Sequence, residues 1–208
     1  MSPVRNQLVV LLKAPRTGSV KTRLAEGIGP EAACAVYQQL VATLLANLAP
    51  LPSVELCFTP ADASAEVVPW LRAGWSSQPQ VAGDLGARLH AVFLRHFQAG
   101  ACRVVVIGAD SPEVMPADVA TAWQALADHD VVLGPAVDGG YWLVGLCAPQ
   151  EQLFTAMPWS TDAVLAETQR RARASGLRVA LLRELSDVDT VADWERWRHR
   201  SGKLLRLA

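Results

Sequence analysis

The sequence predicts an α/β protein built on a doubly wound, mostly parallel sheet. Several segments, "QLVVLL", "CRVVVIGAD" and "DVVLGPA" among them, are apolar and β-branched without polar alternation, the pattern of strands buried on both faces. Stretches with helical spacing separate them, as crossovers between parallel strands require. Polar, glycine-bearing segments follow several of the strands, where open α/β sheets bind their ligands.

The first strand is "QLVVLL" (7–12). After a cationic loop comes "GPEAACAVYQQLVATLLANLAP", with Pro30 near a helix start and Pro50 beyond its end. Ala33, Val36, Tyr37, Leu40, Leu44 and Leu45 lie on one face of that helix. Then follow "VELCFTP" as a strand, "ASAEVVPWLRAG" as a short helix interrupted by Pro69, and "QPQVAG" as a weak strand. "LGARLHAVFLRHFQAG" is an amphipathic helix closed by Gly100. The strongest strand signal is "CRVVVIGAD". Beyond it lie helix "PADVATAWQALAD", strand "DVVLGPA", apolar strand "YWLVGL", helix "DAVLAETQRRARASG", strand "LRVALLREL" and a last helix from about Val191. No internal repeat, long linker or compositional break divides residues 1–208, which read as one domain.

With 19 basic and 20 acidic residues, the net charge of −1 creates no global field for nucleic acid or an anionic membrane, so attraction for anions is local. No apolar run reaches the roughly 18–20 residues of a membrane span, and "MSPVRNQLVVLLKAP" lacks a signal-peptide cleavage region, so a cytoplasmic protein is expected. Cys34, Cys57, Cys102 and Cys147 are dispersed in apolar surroundings and read as small buried thiols rather than metal ligands or disulfides. The seven tryptophans suit core, interface or ligand equally and leave the oligomeric state open.

The loop "LLKAPRTGSVKTRLA" concentrates Lys13, Arg16, Lys21 and Arg23. It is not a Walker A motif, because Val20 and Lys13 stand where glycines belong. It remains either a strand-to-helix phosphate loop, with Gly18 for close backbone approach and Lys21 and Arg23 to neutralise phosphate oxygens, or a solvated basic turn. In "GADSPEV", Asp110 emerges from a buried strand and suits a hard cation, while Asp110 or Ser111 also reads as a helix cap. "GPAVDGGYWLVGL" places Asp138 before Gly139 and Gly140 and beside Tyr141 and Trp142. It is a tight hairpin, a ligand-approach loop, or both. In "LSDVDTVADW", Asp189 with Thr190 could cap the last helix, or Asp187 and Asp189 could complete a divalent site with Asp110. "GDLGARL" offers Asp84 as a cap, with Gly86 and Arg88 lining a cleft.

Serine hydrolysis lacks GxSxG, zinc lacks ligand spacing, and dinucleotide chemistry lacks GxGxxG after the first strand.

Taken in order, "KAPRTGSVKTRLA", "GDLGARL", "GADSP", "GPAVDGGYWLVGL", "PWST" and "DVDTVADW" resemble the rSAM/selenodomain-associated transferase 1 family (DUF2064-type), some members of which are named arsenosugar-biosynthesis glycosyltransferases. The resemblance runs from about Leu8 to Trp194. It implies a Rossmann-like GT-A nucleotide-diphospho-sugar transferase fold. The first loop is also similar to that of phospholactate guanylyltransferases and molybdenum-cofactor nucleotidyltransferases. By that resemblance Lys13, Ala14, Pro15, Gly18, Lys21, Thr22, Arg23, Gly86 and Arg88 would bind nucleotide. Asp110 would be the first ligand of Mg²⁺ or Mn²⁺, with a further contact from Asp187 or Asp189, and Asp138, Gly139, Gly140 and Tyr141 would face the acceptor or sugar. One departure is the opening loop, whose Ala14, Pro15 and single Gly18 replace a glycine-rich run. Pro15 removes an amide donor, which leans towards a diphosphate-sugar donor over a wrapped triphosphate.

The expected activity is metal-dependent glycosyl transfer from a nucleoside-diphosphate sugar to a small-molecule acceptor. Lys21 and Arg23 would stabilise the leaving diphosphate, and Asp138 would act as general base. The rival is nucleotidyl transfer from a nucleoside triphosphate to a phosphorylated acceptor. A nucleotide-binding module without turnover is the third reading.

Overall fold

A computed structural model describes residues 5–202 of the chain. Seven strands form one sheet: β1 (Asn6–Lys13), β2 (Val54–Thr59), β3 (Ser76–Pro79), β4 (Arg103–Gly108), β5 (Val131–Pro135), β6 (Tyr141–Leu146) and β7 (Val179–Leu181), in the spatial order β3-β2-β1-β4-β6-β5-β7. The pairs β1–β2, β1–β4, β2–β3 and β5–β7 are parallel; β6 runs antiparallel to both β4 and β5. This is the doubly wound, mostly parallel α/β sheet expected. The inverted strand follows from the hairpin at 136–140, where Gly139 takes φ 86° and the chain turns back without a crossover helix.

The helices are α1 (Thr22–Ile28), α2 (Pro30–Asn47), α3 (Ser64–Val67), α4 (Leu85–Gln98), α5 (Pro116–Ala125), α6 (Val164–Ala174) and α7 (Val191–Ser201). Both faces of the sheet are covered, so its central strands carry apolar side chains in both directions. Leu8, Val10 and Leu12 of β1 pack with Tyr37, Val41 and Leu44 of α2 and Val119 of α5. Val9 and Val106 join Leu89, Val92 and Phe93 of α4 on the other face. A third cluster joins Leu24 of α1, Val36 and Leu40 of α2, and Trp194 and Trp197 of α7, and it includes Val188 from the loop before α7. None of the helices among the described residues is long and apolar enough to cross a membrane.

Several boundaries depart from the sequence reading. The weak strand lies at Ser76–Pro79 instead of "QPQVAG"; this edge strand is largely exposed and has no apolar pattern to mark it. The predicted strand "LRVALLREL" contracts to Val179–Leu181, with Leu185 touching Ala136 by a single bridge. Arg183 leaves the sheet there to form an ion pair with Asp118, at 2.6 Å. The cationic loop is followed by a separate helix, α1, set off from α2 by Gly29 at φ 85°. Cys34 and Cys57 are buried as expected, whereas Cys102 is exposed in the turn before β4 and Cys147 is half-buried after β6.

Strand order reverses at β1, with β2 on one side and β4 on the other. The crevice beyond the carboxyl ends of these strands is where this topology places ligands.

Candidate active site

The opening loop leaves β1 at Lys13 and is held through its backbone groups, both within the loop and to β2 and α2. The Lys13 amide donates to the Tyr37 hydroxyl, Ala14 N–H to the Thr59 carbonyl, Arg16 N–H to the Ala14 carbonyl and Ser19 N–H to the Arg16 carbonyl. Cys34 Sγ donates to the Pro15 carbonyl at 3.1 Å. Arg16 points away from the crevice, to Glu66 at 2.6 Å and Asp62 at 3.2 Å. Gly18 takes φ 79° with open space around the position of a Cβ.

Lys21 begins α1 from a left-handed conformation (φ 49°, ψ 47°). Its side chain is 3% exposed, and Nζ donates to Oδ1 of Asp110 and, at 2.8 Å, to Oδ1 of Asp189. Burial works against the ammonium charge, but the two carboxylates outweigh it and raise the lysine pKa. Asp110 comes from the end of β4. Asp189 comes from the loop before α7, which is fixed from two sides: Val188 N–H donates to the Asp110 carbonyl at 3.2 Å, and the Val188 side chain is buried against α1 and α7. Thr190, and not Asp189, caps α7, in a reciprocal box with Asp193.

Asp187 accepts a hydrogen bond from the Ser111 hydroxyl. Burial pushes its carboxyl up to about 6; the Ser111 bond opposes this, and the charges of Asp110, Asp189 and Asp138 add to it. Neither Asp110 nor Ser111 caps a helix, because α5 starts later, from Met115.

A cleft of about 520 Å³ opens over these groups, a volume suited to a ligand of nucleotide size. Of the residues singled out from sequence, Lys13, Lys21, Thr22, Arg23, Arg88, Asp110, Tyr141, Asp187 and Asp189 line it together. Ala14 and Gly86 are buried, and a Cβ on Gly86 would lie 2.4 Å from the Phe154 carbonyl, so this glycine serves the seating of α4. Pro15 and Gly18 belong to the loop but do not face the cleft, and Asp138, Gly139 and Gly140 form the hairpin outside its lining. The Asp138 carboxylate accepts from Gly140 N–H at 2.9 Å. Asp84 caps α4 by accepting from Ala87 N–H at 2.9 Å.

Further cleft residues had no signal of their own. Tyr37 reads in sequence as one more apolar position of α2. Thr59 and Gln80 end β2 and follow β3. The Gln80 amide donates to the carbonyls of Leu12 and Cys57, and its oxygen accepts from Arg88. Ser160, within "PWST", also lines the cleft.

The donor set for a metal is narrower than the sequence suggested. Among the described residues there is no group of three or more His, Cys, Asp or Glu side chains arranged to hold an ion. Asp187 is turned to Ser111, leaving Asp110 and Asp189, which already share one cationic group, Lys21 Nζ. Two carboxylates fit Mg²⁺ or Mn²⁺ of the kind completed by substrate phosphates and water.

The DUF2064 family, described as an uncharacterized protein conserved in bacteria, matches residues 43–161, more than half of the chain. The chain belongs to the DUF2064 family. Among solved structures, this DUF2064 chain is similar to a protein from Desulfovibrio desulfuricans G20 provisionally named a nucleotide-diphospho-sugar transferase. The two are 32% identical, with a TM-score of 0.88 over 96% of this chain and 88% of that one. At fold level it is also similar to a CMP:2-keto-3-deoxy-manno-octonic acid synthetase complexed with CTP (15% identity, TM-score 0.60, 97% and 100% coverage). An inositol-1-phosphate CTP transferase from T. maritima is likewise similar (14% identity, TM-score 0.57, 93% of each chain). No curated protein matches.

Proposed function

We propose that this protein is a metal-dependent transferase that takes a sugar from a nucleoside-diphosphate donor and passes it to a hydroxyl of a small acceptor. The observation that carries this reading is the contact of Lys21 with Asp110 and Asp189 beneath the cleft, at the carboxyl ends of β1 and β4. There a cationic group and a pair of carboxylates fit a diphosphate and its counter-ion. The name of the 32% identical protein supports the donor class.

In this mechanism the donor diphosphate lies over the opening loop, where Lys13, Lys21 and Arg23 neutralise its oxygens. The acceptor enters from the side of Tyr141 and Ser160. A divalent ion held by Asp110, Asp189 and the donor phosphates would supply Lewis-acid stabilisation of the departing diphosphate. The acceptor oxygen bonds to the anomeric carbon as the bond from that carbon to the diphosphate oxygen breaks. The hydroxyl proton would pass to a carboxylate, for which Asp138 is proposed: it stands outside the cleft lining, on the β5–β6 hairpin that leads into the cleft residue Tyr141, and would have to reach the acceptor from the rim.

Pro15 has no amide, and those of Lys13, Ala14 and Arg16 are engaged within the protein, so the stretch from Lys13 to Arg16 offers phosphates no free backbone donor; this supports a diphosphate donor over a triphosphate wrapped by that stretch. Nucleotidyl transfer is the second reading, favoured by the depth of Lys21, which suits a cation meeting an α-phosphate under attack. Calorimetric titration with nucleoside triphosphates and nucleoside-diphosphate sugars, with and without Mg²⁺ or Mn²⁺, separates the two. Preferential, metal-dependent binding of a diphosphate sugar supports glycosyl transfer. Tight triphosphate binding with pyrophosphate release on adding a phosphorylated acceptor supports the second. Absence of any nucleotide binding overturns both.

A further inference from the structure

Lys21 is an unusual side chain to find buried. It starts from a backbone conformation that residues with a Cβ rarely adopt, its side chain is almost wholly covered, and its ammonium is shared by two carboxylates from separate segments of the chain. Asp187 lies close enough to feel the charges of both Asp110 and Asp189, so a third carboxyl group adjoins the pair. Without a cation between them, Asp110 and Asp189 would face each other as like charges. The ammonium therefore satisfies in the protein the electrostatic demand that a divalent ion would satisfy in the donor complex.

Resting on the proposed donor chemistry, we infer that Lys21 is the resident counter-ion of Asp110 and Asp189 in the nucleotide-free protein, and that it exchanges with the divalent cation as the donor binds. Asp110 and Asp189 would then hold the ion, while the Lys21 ammonium would move to the donor phosphates. A lysine suits such an exchange because its charge is a point on a flexible four-carbon stem, with no fixed fork to be matched at either position. The phosphates that recruit the lysine also help to hold the ion, so metal and donor bind with positive coupling. In the absence of donor, the lysine opposes metal entry. This guards the carboxylate pair without a moving lid, and it makes the same residue a competitor of the metal first and a ligand of the phosphates afterwards.

The test is direct titration of free Mn²⁺, followed by calorimetry and by the loss of the aqueous Mn²⁺ electron paramagnetic resonance signal, on the full chain without nucleotide. Lys21→Met removes the competing charge. Mn²⁺ is expected to bind this variant at least about tenfold more tightly than the natural sequence, and to raise its melting temperature by more. Lys21→Gln, which keeps a hydrogen-bond donor but no charge, is the second variant if the methionine protein does not fold, and it is expected to show the same direction. Circular dichroism establishes that the compared proteins are folded. Mn²⁺ binding no tighter to the folded variants than to the natural sequence overturns the exchange. Because no nucleotide is present, this outcome is separate from the donor reading: turnover of a diphosphate sugar with unchanged Mn²⁺ affinity would sink the exchange alone.

Discussion

The Tyr37 hydroxyl grips both polar groups of Lys13. It accepts from the Lys13 amide and donates to the Lys13 carbonyl, each at 2.9 Å. A side chain on α2 thus closes the end of β1 at the residue where the cationic loop begins. Burial pushes the Tyr37 phenol up, with the charge of Asp110 adding to the shift, so the hydroxyl stays protonated as a donor.

Tyr37→Phe removes this double bond while keeping the ring in the core. With two backbone groups left without their partner, stability is expected to fall by roughly 1–3 kcal/mol in chemical denaturation. Affinity for the nucleotide donor should weaken as well, because the start of the loop is no longer fixed. An unchanged denaturation midpoint would mean that water replaces the hydroxyl.

Asp187 gives the protein a pH dependence of stability. Its carboxyl ionises near 3.8 in the unfolded chain and at about 6 in the folded one, so the folded state binds more protons between these values. Stability from this group is greatest below the unfolded value and declines as pH rises through about 4 to 6. It levels off roughly 3 kcal/mol lower above that range. Asp187→Asn cannot ionise yet still accepts from Ser111. In a chelator-containing buffer, it should melt near the natural protein at pH 4 and clearly above it at pH 8. Equal melting temperatures at pH 8 would show that Asp187 is not held against its charge.

Gly139 and Gly18 share a positive φ, at 86° and 79°, but differ in their surroundings. A Cβ on Gly139 would lie 2.2 Å from the Asp162 carbonyl oxygen, and the Gly139 carbonyl accepts from Leu165 N–H at 2.9 Å, so the hairpin is packed onto the start of α6. A Cβ on Gly18 meets nothing within 4 Å. Gly139→Ala is expected to cost about 3 kcal/mol or more, through backbone clash added to strain. Gly18→Ala should cost roughly 1–2 kcal/mol from strain alone. Comparable losses for the two variants in denaturant would contradict this difference in packing.

The central strands were legible because β1 and β4 are buried on both sides, and burial of that kind leaves an unbroken apolar run in the sequence. Ser76–Pro79 left no such trace, since an exposed edge strand is defined by its hydrogen bonds to β2 and not by its side chains. The end of "LRVALLREL" has a β-like composition but leaves the sheet, where Arg183 pairs with a partner distant in sequence, Asp118. At the site, the chemical types were visible and their pairing was not. Lys21 was recognisable as a cation after a buried strand, and Asp110 as a carboxylate at the end of another. That Lys21 points at Asp110 and Asp189, and that Asp187 turns to Ser111, depends on Val188 being buried between α1 and α7, a contact no local pattern encodes.

Asp138 can be tested apart from its turn. Its carboxylate is exposed and accepts from Gly140 N–H within the hairpin, so Asp138→Ala would confuse loss of a turn bond with loss of a base. Asn offers the same amide an acceptor oxygen but cannot take a proton. If Asp138 receives the acceptor proton, Asp138→Asn keeps its melting temperature and donor affinity while turnover falls about 100-fold or more, the scale on which general bases act. If turnover persists in Asp138→Asn and disappears in Asp187→Asn with donor binding intact, the proton goes instead to the carboxylate within the cleft, and the hairpin acts only by shaping the acceptor's entrance.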